Sequence, residues 1–425
     1  MKIGLHCPEV PGHLNPLTTL GGELQARGHD VIFLGCRMAE PIVRRAGLPF
    51  HALGPEDELS DQLEASFRAL GKVTGTQGML LTGKLFGIQS TLVRRYLPEA
   101  LKAHSFDGLV IDQVAPACAV EAERLAIPYA VACNALAVYW DPLIPPPPLA
   151  WDYRTDWFGR FRNQMAKHAV LMAYRFLAGE RKVGVDPLKL IRGGDPALVH
   201  LSQQPPFFEY PRTAYPQRLH FTGPWHRAAR DDQAIDFPWD WLDGRPLIYA
   251  SMGTLQNAVP HVFRAIIDAV KDLPVQLVLS KGGGEVDVPG NIPANILLVE
   301  KAPQLRLLEK ASLVITHAGM NTTLECLAYG VPMLCLPVTN DQPGVAKRVE
   351  YHGSGRVIPV QKVTTKRLRA ELDRLQNDPK FQQKADQFQA DIASRDGLEM
   401  AADLIEQAFR TGQPIINQHH PESVR

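Results

Sequence analysis

Short apolar runs alternate with longer amphipathic stretches along the chain, a pattern that predicts strands buried on both faces between covering helices. In the first half, Ile3 to Cys7, Val31 to Gly35, Gly108 to Asp112 and Tyr129 to Cys133 read as strands, and helices are predicted over Pro16 to Arg27 and Pro116 to Leu125. Asn15 is placed to cap the first helix and Pro16 to start it, since the N–H that proline lacks is unpaired in a first turn anyway. The same grammar restarts at Pro246 to Ala250, with a helix from about Val259 to Lys271 and strands at Gln276 to Ser280, Ile296 to Val299, Leu313 to Thr316 and Met333 to Pro337. This alternation predicts parallel sheets, so the fold class is α/β with two tandem doubly wound domains.

Between the halves, Phe221 to Trp241 is rich in Pro, Asp and Trp without periodicity, which places a linker at residues 223–238. The first domain then covers residues 1–222 and the second 239–397, with a last helix and polar tail over 398–425 that is expected to cross back to the first domain. A section from Pro142 to Pro224 breaks the alternation. Pro145 to Pro148 predicts a stiff extended spacer. Around it cluster Trp140, Trp151, Tyr153, Trp157, Phe158 and Phe161, which read equally well as a pocket lining or lid and as a helix-packing layer.

At 425 residues the chain is too long for one ordinary core, which agrees with two domains. The 45 basic and 45 acidic residues cancel, which argues against a nucleic-acid footprint or a polybasic membrane anchor. Six cysteines lie far apart with no C-x-x-C, so buried free thiols in a reducing, cytoplasmic setting are expected. The run KIGLHC is too short for a secretory signal, and Leu125 to Trp140 is too short to span a bilayer. Met79 to Val93 and Met165 to Leu177 are apolar enough to leave peripheral membrane contact open, although such stretches are more often core helices.

Chemistry concentrates in residues 312–342, SLVITHAGMNTTLECLAYGVPMLCLPVTNDQ. A strand, a turn at His317 and Gly319 and a helix opening at Asn321-Thr322 make an anion site, because free N–H groups and the positive helix end point into the turn. A second strand-to-helix turn offers Ser251, Gly253 and Thr254. Glu325 reads either as the acid of a capping box with Thr322 or as a carboxylate reaching a ribose diol. Asp341 reads as a helix cap or, with Gln342, as a sugar-hydroxyl partner. After the first strand, His13 reads either as an ordinary polar loop histidine or as a base near neutral pH projecting into the cleft, and Asp112 either holds one of its ring nitrogens or caps the following helix. Gly78 to Lys84 has Walker spacing, but Leu85 replaces the required hydroxyl, and no G-x-S-x-G occurs. Without an Asp-x-Asp pair, no metal is predicted, and a diphosphate would be neutralised by helix dipoles, hydroxyls and His317.

These residues resemble the donor signature of the family 1 UDP-dependent glycosyltransferases, whose two Rossmann-like domains form the GT-B fold. Ala302-Pro303-Gln304, then His317-Ala318-Gly319-Met320-Asn321-Thr322 with Glu325, then Asp341-Gln342, carry the likeness, with 8 residues from His317 to Glu325. Lys301, standing where plant members stack uracil on a Trp, points to the bacterial branch, and CNALAVYWDPLIPPPPLAWDYRTDWFGRFRNQ is similar to the same stretch of zeaxanthin glucosyltransferases.

The resemblance implies a first domain that binds the acceptor and a second that binds a nucleotide sugar. His13 would be the base and Asp112 its partner. Ser251, Gly253, Thr254, His317, Gly319, Asn321 and Thr322 would hold the diphosphate, Glu325 the ribose, Ala302 and Gln304 the uracil, and Asp341 and Gln342 the sugar. The expectation is an inverting transfer of glucose from UDP-glucose, without metal or other cofactor, to a hydroxyl of a lipophilic molecule such as a carotenoid, terpenoid or polyphenol, by a monomer or weak dimer. The rival readings are a non-catalytic nucleotide-binding partner of another transferase and a UDP-sugar epimerase.

Overall fold

A computed structural model of the protein describes residues 1–71, 73, 75–177, 193–226, 235–253, 260–282 and 291–418. Thr254 and much of the expected linker lie outside the described residues. Seven parallel strands form the first sheet: β1 (Lys2–His6), β2 (Asp30–Gly35), β3 (Phe50–Ala52), β4 (Gly108–Asp112), β5 (Tyr129–Cys133), β6 (Val199–Ser202) and β7 (Leu219–Phe221), in the order β3-β2-β1-β4-β5-β6-β7. Six parallel strands form the second: β8 (Leu247–Ser251), β9 (Gln276–Ser280), β10 (Ile296–Val299), β11 (Ala311–Thr316), β12 (Met333–Cys335) and β13 (Gly355–Val357), in the order β10-β9-β8-β11-β12-β13.

The order reverses between β1 and β4 in one sheet and between β8 and β11 in the other. Open α/β sheets leave a crevice beyond the carboxyl ends of their strands at such a switch point.

Three local expectations are corrected. The first helix runs Pro11–Ala26, so Pro11 and not Pro16 occupies its start, Val10 stands at the cap without a side-chain bond, and Asn15 caps nothing. His13 therefore sits in the first helical turn rather than in a loop ahead of it. The four-proline segment turns back on itself, with the Leu149 N–H donating to the Pro146 carbonyl at 3.0 Å, because proline's fixed φ suits a turn as well as an extended spacer. The section that broke the alternation also contributes β6 and β7 to the first sheet, strands of 4 and 3 residues that carry too little period to read.

Each sheet is covered on both faces by apolar side chains. Leu398, Ala401, Ala402, Ile405 and Phe409 of the last helix, Gly397–Thr411, join the core of the first sheet. Gly108 admits it, since a Cβ there would stand 2.7 Å from the Phe409 ring. Leu136, Phe207 and Phe208 from the first half of the chain pack into the core of the second sheet, so the two halves share an apolar seam. All six cysteines are free and buried. Among the described residues, no helix is long and apolar enough to cross a membrane.

Candidate active site

Both switch points carry the candidate residues. His13 follows β1, and Asp112 ends β4, the neighbouring strand. His13 Nδ1 and Asp112 Oδ2 are 2.7 Å apart. A carboxylate accepts only, so the shared proton sits on Nδ1 and Nε2 is left as the basic nitrogen. Asp112 Oδ2 also accepts from Asn134 Nδ2 at 2.6 Å, and Oδ1 accepts the Val114 N–H at 2.8 Å, so this carboxylate closes the turn after β4 and holds the imidazole together. Burial works against the charged imidazole, but Asp112 by charge and hydrogen bond, with Asp341 across the cleft, outweighs it and raises the His13 pKa above 6.5.

On the other side, Ser251 ends β8 and His317 follows β11, whose Thr316 pairs with Ser251 in register. The His317 ring lies between two glycines: a Cβ on Gly253 would stand 2.7 Å from Cε1, and one on Gly319 2.6 Å from Nε2. Burial lowers the His317 pKa to about 4, against a smaller opposing effect of the Ser251 carbonyl. This ring is thus a neutral wall of the turn. The glycine turn is corrected too. Ala318 takes the left-handed conformation at φ 63°, while Gly319 is at −64° and is needed for room beside the ring.

Gly319 is the cap residue of helix Met320–Ala328, which puts Asn321 and Thr322 in its first turn. The capping box does not form, because the helix starts too early for Thr322 to be its cap. Instead, Glu325 is buried and bonded to Gln304 Nε2, which also reaches Thr322 Oγ1 at 3.3 Å, while Gln304 Oε1 accepts from Tyr249 Oη at 3.1 Å. Ala302, just ahead of Gln304, packs half-buried against the second core. Asp341 stands at the cap of helix Gln342–His352 without capping it. Its Oδ2 accepts the Leu136 N–H of the other half at 3.2 Å, and burial raises its pKa, with Leu136 and His13 opposing. Gln342 Oε1 accepts the N–H groups of Val338 and Thr339 at 2.9 and 3.1 Å, which fixes the turn after β12.

Asn321 bridges the two halves: its Nδ2 donates to the Gly12 carbonyl at 2.9 Å, and its Oδ1 accepts from Gln203 Nε2 at 2.9 Å. The helix that carries His13 and the turn after β11 are therefore one site. The sequence reading missed Asn134, Gln203 and Tyr249. Asn134 and Gln203 are polar residues directly beyond the carboxyl ends of β5 and β6, a signal readable for Asn134 from the predicted strand Tyr129 to Cys133 and for Gln203 only once β6 is recognised. Of the aromatic cluster, Tyr153 stacks on Tyr210 at 4.9 Å and meets Tyr351 of helix Gln342–His352 at 5.5 Å, which is a packing role across the seam. Trp157, Phe158 and Phe161 are exposed on helix Trp157–Leu177.

Comparison with known proteins shows what the chain is similar to. Residues 187–390 match the family described as UDP-glucoronosyl and UDP-glucosyl transferase. The chain is 30% identical over 422 residues to a zeaxanthin glucosyltransferase of Pantoea ananas, covering 96% of each chain. It is 26% identical over 404 residues to the NDP-glycosyltransferase YjiC of Bacillus subtilis (strain 168), covering 93% of this chain and 94% of that one. Its fold is similar to the crystal structure of the glycosyltransferase of kitacinnamycin, with a TM-score of 0.71 at 24% identity over 96% of this chain and 97% of that one.

Proposed function

The chain belongs to the UDP-glucoronosyl and UDP-glucosyl transferase family and is a glycosyltransferase, and from that premise we propose that it transfers glucose from UDP-glucose, with inversion, to a hydroxyl of a lipophilic small molecule. One observation carries the reading: an imidazole held by a carboxylate at 2.7 Å lies one residue from a carbonyl that is hydrogen-bonded to the first turn of the anion-site helix. His13 Nε2 takes the proton of the acceptor hydroxyl as its oxygen bonds to the anomeric carbon. The bond from that carbon to the diphosphate breaks, and UDP leaves into the turn at His317, Gly319, Asn321 and Thr322. Attack from the face opposite the leaving group inverts the anomeric centre, and Asp112 stabilises the imidazolium.

The first-turn N–H groups of helix Met320–Ala328 and its dipole are suited to the diphosphate, so the reading requires no metal. The likeness to a zeaxanthin glucosyltransferase supports a carotenoid, terpenoid or polyphenol acceptor. Incubation with UDP-glucose and a panel of hydroxylated lipophiles, in EDTA, tests this by mass spectrometry with the anomeric configuration read by NMR. A β-linked adduct is expected. An isomerised donor without adduct, a retained configuration or dependence on added metal would each overturn its part of the reading.

The sugar-nucleotide chemistry and six buried free thiols support a cytoplasmic location. Helix Trp157–Leu177 exposes Trp157, Phe158, Phe161, Met165 and Met172 and contains no Asp or Glu, which supports contact with a bilayer surface where a lipophilic acceptor resides. Co-sedimentation with anionic vesicles, lost on Phe161→Ser with Met165→Ser, is the expected result. Equal recovery in the supernatant with and without vesicles would remove this contact.

A further inference from the structure

The hydrogen bonds around His13 continue past Asp112 and return to the same helix. Asp112 Oδ2 accepts from His13 Nδ1 and from Asn134 Nδ2 at 2.7 and 2.6 Å. The main-chain carbonyl of Asn134 accepts from Gln203 Nε2 at 2.6 Å, and the same nitrogen donates to Asn321 Oδ1 at 2.9 Å. Asn321 Nδ2 then donates to the carbonyl of Gly12, the residue before His13. This closed path passes through helix Pro11–Ala26, the ends of β4, β5 and β6, and the first turn of helix Met320–Ala328 in the other sheet. Asn134 and Gln203 are 2% and 3% exposed, so water cannot readily replace what they bind.

Two features make the path more than a chance contact. Residue 16 would normally donate its N–H to the Gly12 carbonyl, but it is proline, so that oxygen has no helical claimant and is free for Asn321. An amide has one accepting and one donating end, and Gln203 claims the accepting end of Asn321. Its NH₂ group is thereby turned to Gly12, the end that an anion would also need.

We propose that Gln203 is a positioning residue that orients Asn321 and ties it to the shell holding His13, so that donor diphosphate and general base are coupled across the cleft. A phosphate oxygen that draws Asn321 Nδ2 competes with the Gly12 carbonyl, so donor binding loosens or resets the turn that carries His13. Gln203 touches neither the base nor the reacting atoms and acts through Asn321 and the Asn134 carbonyl. The inference rests on the donor reading given above.

A double-mutant cycle tests it, with UDP Kd read by calorimetry and kcat by product formation for wild type, Gln203→Leu, Asn321→Ala and the double variant. Gln203→Leu should weaken UDP about five- to tenfold, the worth of one hydrogen bond whose partner is left unmet, and should lower kcat as well. In the Asn321→Ala background the same change should alter the UDP Kd less than about twofold, because the group it orients is gone. Equal factors in both backgrounds, or a lower Tm with unchanged Kd and kcat, would overturn the coupling and leave the donor reading standing. Should the leucine variant not fold, Gln203→Met carries the same expectations. A wild-type chain that binds neither UDP nor TDP overturns the donor reading and the coupling with it.

Discussion

Asp112 sets both the tautomer and the proton affinity of His13, and the two effects separate in a pH profile. A base must be neutral to act, so turnover should rise with pH through the raised pKa of His13. In Asp112→Asn burial still disfavours the imidazolium while the largest opposing influence is gone. The rising limb should therefore move to lower pH, with the plateau down on the order of 100-fold. A limb that stays in place or moves to higher pH would contradict this. His13→Ala should lose about 100- to 10,000-fold in kcat with UDP binding retained, and near-normal turnover would end its role. The glycines beside His317 make a third test. Gly253→Ala adds a Cβ that collides with the ring, at φ 80°, where a side chain costs about 1–2 kcal/mol, whereas Gly319→Ala meets the ring at an ordinary φ. Both should weaken UDP binding, measured by calorimetry, with Gly253→Ala also lowering the melting temperature more.

At the scale of elements, Pro16 stands inside helix Pro11–Ala26. Such a proline ordinarily costs about 3 kcal/mol, so Pro16→Ala should stabilise the fold, by about 2–4 °C in Tm for each kcal/mol recovered. The new N–H at position 16 would claim the Gly12 carbonyl from Asn321, and kcat should fall although the protein melts later. A higher Tm with unchanged kcat would show that the carbonyl serves both partners. This helix also shows where reading by residue type stops. Asn15 before Pro16 spells a good start, yet Pro11 meets the same requirement five positions earlier, and helix entry is decided by which start lets Leu14, Leu17, Leu20 and Leu24 face the core. Strands of five residues, such as Gly108–Asp112 and Gln276–Ser280, were legible to the residue because both faces are buried. Of the shorter strands, Ile296–Val299 was equally legible, whereas Phe50–Ala52, Val199–Ser202 and Leu219–Phe221 were not, since they are defined by their neighbours.

At the scale of the molecule, the seam is held by a buried ion pair as well as by apolar contact. Glu209 Oε1 accepts from Arg348 Nε at 2.8 Å and Nη2 at 2.5 Å, its Oε2 accepts from Arg212 at 3.0 Å, and the Arg348 guanidinium lies 4.4 Å over the Tyr210 ring. Burial opposes ionisation of Glu209, but Arg212 and Arg348 prevail and lower its pKa from 4.5 to about 2. A carboxylate with a depressed folded-state pKa stabilises above its unfolded value, and that stability is lost as pH falls from about 4.5 to about 2. Glu209→Gln should leave two buried guanidinium groups short of a counter-charge, cost about 3–5 kcal/mol in thermal or urea melts at pH 7, and flatten the acid limb of stability between those values. A melt equal to wild type at pH 7 would show that the seam does not depend on the pair.

Local periodicity determined the α/β class, the two-sheet repeat and most strands, because burial on both faces of a parallel strand imposes an apolar run that depends on nothing distant. The turn at His317 was legible for a similar reason, as a strand, a histidine, a small-residue bend and a helix start must be contiguous to present N–H groups to an anion. Only the tertiary structure decided strand order, hence which strand ends meet at the two crevices, and it alone brought Asn134 and Gln203 between His13 and Asn321. Those contacts join residues 22 to 309 positions apart. Their geometry depends on how two sheets dock, and no short-range pattern encodes that docking.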